Sequence, residues 1–80
     1  MEIYFSRHAK NRMRRYRIKP EEVLAVIHQP DHEADSIKGR KNAWKKRNSD
    51  WLRITFVSDD GGNKTVITVT VKQKFHREEE

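Results

Sequence analysis

Eighty residues with 18 Lys and Arg against 12 Asp and Glu, a formal net charge of +6 and no cysteine describe one small basic domain. With 34% hydrophobic and 38% charged residues, the chain can close one modest core, which argues against a deep small-molecule or dinucleotide cavity. The lack of cysteine excludes a disulfide framework, thiol catalysis and Cys-ligated zinc. No apolar run approaches the ~20 residues of a membrane span, and Met1-Glu2-Ile3-Tyr4-Phe5 lacks the layout of a secretory signal, so the expected setting is the cytoplasm, away from membranes.

In chain order, Ser6 is placed to cap a helix running to Arg15 or Tyr16, because Ala9, Met13 and Tyr16 recur at helical spacing behind an apolar entrance at Phe5. A second helix is predicted from Pro20, with Glu21 and Glu22 in its first turn and Val23, Leu24, Val26 and Ile27 as its buried stripe; Pro30 ends it. From Asp31 the pattern changes to short runs between turn residues. Gly39 marks a hairpin between strands at about 32–37 and 41–47, Asn48-Ser49-Asp50 is a second turn, and Asp59 to Asn63 joins strands at 51–58 and 64–72. The expected fold is α+β, two N-terminal helices packed on a four-stranded antiparallel sheet. Leu52, Ile54, Phe56, Ile67, Val69 and Val71 face the helices, and the opposite side is polar. Residues 1–75 form the domain, and the charged residues 76–80 read as a disordered tail.

The charges are segregated. Arg7, Lys10, Arg12, Arg14, Arg15, Arg17 and Lys19 lie between Ile3 and Pro20 with no acid among them, and a second basic stretch runs from Lys38 to Arg53 with Asp50 as its single acid. Blocks of this kind create a positive face that attracts phosphate backbones. Within the first block His8 and Arg12 are one helical turn apart on one ridge. Imidazole exchanges protons near neutrality, and a guanidinium holds phosphate through paired hydrogen bonds, so this pair suits phosphodiester chemistry as readily as it suits an ordinary helix boundary. On the polar strand face Arg53, Thr55, Thr68, Thr70 and Lys72 share one side. Metal-free RNA cleavage requires a base, an acid and fixed positive charge at the phosphorane-like transition state, and Arg53 and Lys72 are candidates for that charge. Arg15, Arg40, Lys45, Arg47 and Thr70 extend the surface as candidate nucleic-acid contacts, although a slip of one residue in register puts Lys46 there instead of Lys45. Trp44 and Trp51, interleaved with Lys45, Lys46 and Arg47, read as a satellite core or as stacking groups for unpaired bases.

Other patterns carry no chemistry. Pro30 breaks the helix that His28 and His32 need as a ligand pair. The Asp31/Glu33/Asp35 series lacks the glycine and closing Glu of a calcium loop, and Gly61-Gly62 lacks the Lys of a phosphate loop. No metal or cofactor is implied.

The runs Ser6-Arg7-His8-Ala9-Lys10-Asn11-Arg12-Met13, Arg17-Ile18-Lys19-Pro20-Glu21-Glu22-Val23, His28-Gln29-Pro30-Asp31, Leu52-Arg53-Ile54 and Val66-Ile67-Thr68-Val69 resemble a small family of unknown function with an H-A-x-x-R-M opening helix, grouped with RelE-like and BrnT-like toxins. The resemblance spans about Phe5 to Lys72. It implies a RelE/BrnT-like order of two helices and four strands, RNA as target, and an antitoxin protein as partner. Within it His8 and Arg12 match the opening motif and Arg53 the basic position of the third strand; joined to the residue reading above, this casts His8 as general acid or base, Arg12 and Arg53 on the phosphate, and Lys72 in support. Well-studied RelE-like enzymes carry a C-terminal catalytic Tyr, for which Lys72 to Arg77 offers only approximate substitutes. The expectation is therefore a metal-independent endoribonuclease of a toxin-antitoxin pair. The alternatives are a non-catalytic nucleic-acid-binding module and a protein-interaction domain.

Overall fold

The computed structural model describes residues 2–75, and its first element is one that periodicity does not reveal. Ile3–Phe5 forms a three-residue strand, β1, too short for alternation to register. Its partner lies at the far end of the chain, with Ile3, Tyr4 and Phe5 parallel to Lys64, Thr65 and Val66. There follow α1 (Arg7–Tyr16), α2 (Pro20–His28), β2 (His32–Asp35), a single 3-10 turn (Ile37–Gly39), β3 (Lys41–Lys46), β4 (Trp51–Ser58) and β5 (Lys64–Lys72). The α+β class and both helices are as expected. The four-stranded antiparallel sheet is corrected to a five-stranded mixed sheet of order β1-β5-β4-β3-β2, in which β1 supplies the parallel pair. The tail expected at 76–80 lies outside the described residues.

Ser6 explains why strand and helix meet where they do. Its backbone N–H donates to Val66 O at 3.0 Å, continuing the β1–β5 ladder, while its Oγ accepts from Ala9 N at 3.0 Å and so caps α1. The helix ends at Arg17, which adopts φ 57°, ψ 45°; its N–H reaches Arg14 O, and Ile18 N reaches Met13 O at 2.8 Å. This wrap satisfies carbonyls of the last turn and folds Ile18 into the core. α2 begins with Pro20, and Glu22 Oε2 accepts from Lys19 N at 2.9 Å, satisfying a donor that the helix leaves open.

The helix-side core joins Ala9, Met13 and Ile18 to Val23, Val26 and Ile27, and both sets to Ala43, Leu52, Ile54, Phe56, Val66 and Val69 from the sheet. Ile67 was expected in this set, and Val66 takes its place. Thr55 pairs with Thr68 but Phe56 pairs with Val66, so Ile67 is the extra residue of a β-bulge and the inward alternation resumes one position earlier. The strand expected at 32–37 stops at Asp35. Lys38 and Gly39 take positive φ in the tight turn that follows, and Ile37 is left 69% exposed.

The sheet surface away from the helices is not uniformly polar. In register across it stand His32, Trp44, Arg53 and Thr70 on successive strands, with Asn42 beside Thr55 and Thr68, and Lys46 beside Trp51 and Lys72. Trp44 is 1% exposed yet lies outside the helix-side core, and Thr55 Oγ1 donates to Asn42 Oδ1 at 2.5 Å within buried surroundings. A second, smaller core therefore covers part of this side.

Candidate nucleic-acid interface

α1 buries Ala9 and Met13, packs Tyr16 part-buried against the same core, and turns Arg7, His8, Lys10, Asn11, Arg14 and Arg15 to solvent. Arg7, Lys10 and Arg14 recur at i, i+3 and i+7 along its outer ridge, and all three are exposed. His8, Arg12 and Arg15 form the adjacent ridge, which runs beside the outer edge of β5. β1 covers that edge only as far as Val66. Beyond it, Ser6 Oγ donates to Ile67 O at 2.9 Å and Arg12 Nε donates to Val69 O at 3.1 Å, so the cap of α1 and one of its side chains take over where the strand partner ends.

Arg12 is thereby held in place. Its guanidinium also sits over the Tyr16 ring, 5.3 Å from the centroid, and among the described residues its two Nη groups make no hydrogen bond. A guanidinium anchored through Nε presents its remaining donors in a fixed fork, the arrangement that suits a phosphate oxygen pair. His8 lies one turn earlier on the same ridge and is exposed.

Two cations of the second basic stretch, Lys41 and Arg47, are paired with acids. Lys41 lies 3.8 Å from Glu33 and 3.9 Å from Asp35. Arg47 makes two hydrogen bonds to Asp50, at 2.8 and 2.9 Å, and reaches Glu22 at 3.5 Å. The paired bonds hold the Asp50 carboxyl below its ordinary value and raise the Arg47 guanidinium. Arg7, Lys10, Arg14, Arg15 and Arg17, by contrast, have no acidic side chain within ion-pair distance among the described residues.

The remaining candidates fall into three places. Arg53 and Thr70 face each other on the open side of β4 and β5, and Lys72 stands opposite Trp51. Arg53 leans over the Trp44 ring at 5.6 Å, away from β5, whereas Arg12 grips the outer edge of β5. The two guanidinium groups that the sequence reading assigned to one phosphate are thus directed apart. Lys45 faces the helix side, opposite Leu52, and its Nζ donates to Gln29 O at 2.9 Å. The alternative register holds, with Lys46 on the open side, 5.7 Å from the centre of the Trp51 ring. Arg47 is engaged by its acids, and Arg40 closes the β2–β3 turn, its N–H donating to Ile37 O at 3.1 Å. Sequence reasoning missed His32 and Phe75 as members of the Trp44/Trp51 cluster; β2–β3 register supplies the first, and no local signal marks the second.

A family model described as a domain of unknown function (DUF4258) matches residues 5–71. The chain belongs to this family. The match begins at the end of β1 and runs to the penultimate residue of β5, so it takes in the α1 ridges and nearly all of the sheet. No curated protein and no solved structure gives a significant match. Among the described residues no helix is long and apolar enough to cross a membrane, and no group of three His, Cys, Asp or Glu side chains is placed to hold a metal ion.

Proposed function

We propose that this DUF4258 protein binds RNA, with α1 gripping the phosphate backbone. The observation that carries the reading is the row of cations on and just after α1 with no acidic neighbour among the described residues. Lys41 and Arg47 are paired with acids of the fold, whereas Arg7, Lys10, Arg14, Arg15 and Arg17 leave their charge to an external polyanion. Phosphates that replace the small counterions around such a ridge release them, which makes affinity depend steeply on salt. Two backbone positions fit the same reading. Arg17 and Lys38 are the non-glycine residues with positive φ among those described, and each keeps a cation where glycine is sterically easier.

Titrating labelled single-stranded RNA at several salt concentrations tests this. The Arg7→Gln/Lys10→Gln/Arg14→Gln variant is expected to flatten the plot of log K against log salt by roughly 0.7 per lost phosphate contact, with Lys41→Gln close to wild type. Equal slopes for wild type and the triple variant sink the proposal.

A second, stronger reading is favoured by the ridge that His8 shares with Arg12: the protein is a metal-independent endoribonuclease of the RelE/BrnT-like toxin class. RNA carries its own nucleophile in the 2′-hydroxyl, so cleavage needs a proton acceptor for that hydroxyl, a proton donor for the departing 5′ oxygen and positive charge for the phosphorane. Here His8 takes the 2′-hydroxyl proton as the new P–O bond forms and returns it to the 5′ oxygen as the old one breaks, the anchored Arg12 fork stabilises the phosphorane, and Lys72 and Arg53 hold the strand as it passes onto the open side of the sheet.

A further inference from the structure

Phe75 follows β5 by three residues and returns over the open side of the sheet. Its ring stacks on His32 at 4.1 Å between centroids and 18° between planes. It meets Trp44 edge-on at 5.0 Å and 86°, and Trp51 at 5.2 Å and 37°. One phenyl ring thus fills a recess with three aromatic walls, contributed by β2, β3 and β4. Cations surround it, with Lys46 over Trp51, Arg53 over Trp44, and Lys72 paired with Trp51 across the ladder.

We propose that this recess is a seat for an unpaired nucleobase, and that Phe75 occupies it until RNA displaces it. The inference rests on the RNA-binding reading and gives it a base-recognition site distinct from the α1 ridge. Two observations besides ring geometry support it. The Nε1 group of Trp44, one of the three walls, is buried without a hydrogen-bond partner among the described residues. A buried indole N–H ordinarily finds an acceptor; a phenyl ring offers none, whereas a base carries carbonyl and ring-nitrogen acceptors. The occupant is also lightly held: Gln73 and Lys74, which lead to Phe75, are exposed, and Phe75 itself is only partly buried. Stacking on π-faces is tolerant of base identity, and the flanking cations suit the phosphates on either side of the seated base.

The test compares an oligouridylate with inorganic polyphosphate of similar length, which offers charge without bases, following tryptophan emission and affinity together. Oligouridylate is expected to quench emission, and polyphosphate to bind without quenching. His32→Ala and Trp51→Ala should each weaken oligouridylate binding by roughly 5- to 150-fold, the range of one lost stacking contact, and leave polyphosphate affinity unchanged. Phe75→Ala should tighten oligouridylate binding, because the competing occupant is gone. His32 is exposed, so its variant reports even if Trp51→Ala fails to fold. If oligouridylate binds with α1-dependent affinity but without quenching, or if Phe75→Ala binds no more tightly, the seat is refuted and the α1 reading survives. If neither polyanion binds, both readings fall.

Discussion

Arg12 donates through Nε to the carbonyl oxygen of Val69 at 3.1 Å, and this bond fastens α1 to the part of β5 that β1 leaves uncovered. A strand edge with open carbonyls invites pairing with another chain, and here a side chain blunts it. The same bond turns a flexible arginine into a fixed donor fork beside His8. Structure and proposed chemistry thus meet in one residue.

Arg12→Ala is expected to cost about 1–2 kcal/mol, since it leaves a part-buried carbonyl without its charged donor and removes the contact with Tyr16. Arg12→Lys keeps the charge but cannot offer a side-on donor and an outward fork together. It should recover part of the stability and little of the RNA affinity. Urea unfolding and RNA titration of the two variants check this, and full recovery of binding in Arg12→Lys would reduce Arg12 to a point charge.

Arg17→Gly separates stability from binding. At φ 57° the arginine sits in the left-handed region at the end of α1, where glycine avoids the steric cost at the expense of some unfolded-state entropy. Unfolding free energy should rise by about 0.5–1 kcal/mol while RNA affinity falls through loss of the cation at the end of α1. A variant that gains stability without losing affinity would remove Arg17 from the interface.

Several of these features were open to sequence reasoning and others were not, for physical reasons. Helical spacing at Ala9, Met13 and Tyr16 and alternation from Trp51 to Ser58 mark α1 and β4, because burial on one face imposes a period. β1 has three residues and a partner at Lys64–Val66, so no local window contains its cause. The bulge that exchanges Ile67 for Val66 is a property of the β4–β5 pair, and both residues are equally apolar in isolation. The His8/Arg12 ridge follows from a spacing of four. The anchoring of Arg12 on Val69, and the convergence of Phe75 with His32, Trp44 and Trp51, depend on tertiary contacts that spacing does not encode.

Acid should loosen the β3–β4 turn. The hydrogen bonds from Arg47, with desolvation opposing them, depress the Asp50 carboxyl in the folded state below its ordinary value of 3.8. A carboxyl depressed on folding contributes its stability in full above the unfolded value and loses it as pH falls from there through the folded value. Because the pair is partly exposed, its contribution is about 1 kcal/mol. Wild type should therefore lose stability more steeply than Asp50→Asn as pH falls below the ordinary carboxyl value, the difference being read from urea midpoints. Asp59 acts in the same direction, because backbone and side-chain donors of Asn63 and the Gly61 N–H stabilise its carboxylate, so some acid dependence should persist in Asp50→Asn. Parallel pH profiles for the two proteins would show that the Arg47–Asp50 pair contributes nothing.

Cleavage, if the stronger functional reading holds, should depend on His8 far more than binding does. His8 is exposed and outside the core, so His8→Ala leaves folding intact and removes one of many possible contacts to the backbone. A positioned general acid or base accounts for roughly 10²–10⁴ in rate, and scission of single-stranded RNA in the presence of a chelator should fall by that factor in His8→Ala while affinity changes little. Arg12→Ala should lose both rate and affinity, because the proposed mechanism uses its fork on the phosphate in the ground state and on the phosphorane alike. The outcome that removes the mechanism is either wild-type protein that binds RNA without cutting it or His8→Ala protein that cuts at the wild-type rate. The first leaves an RNA-binding module, and the second requires a proton carrier elsewhere on the surface.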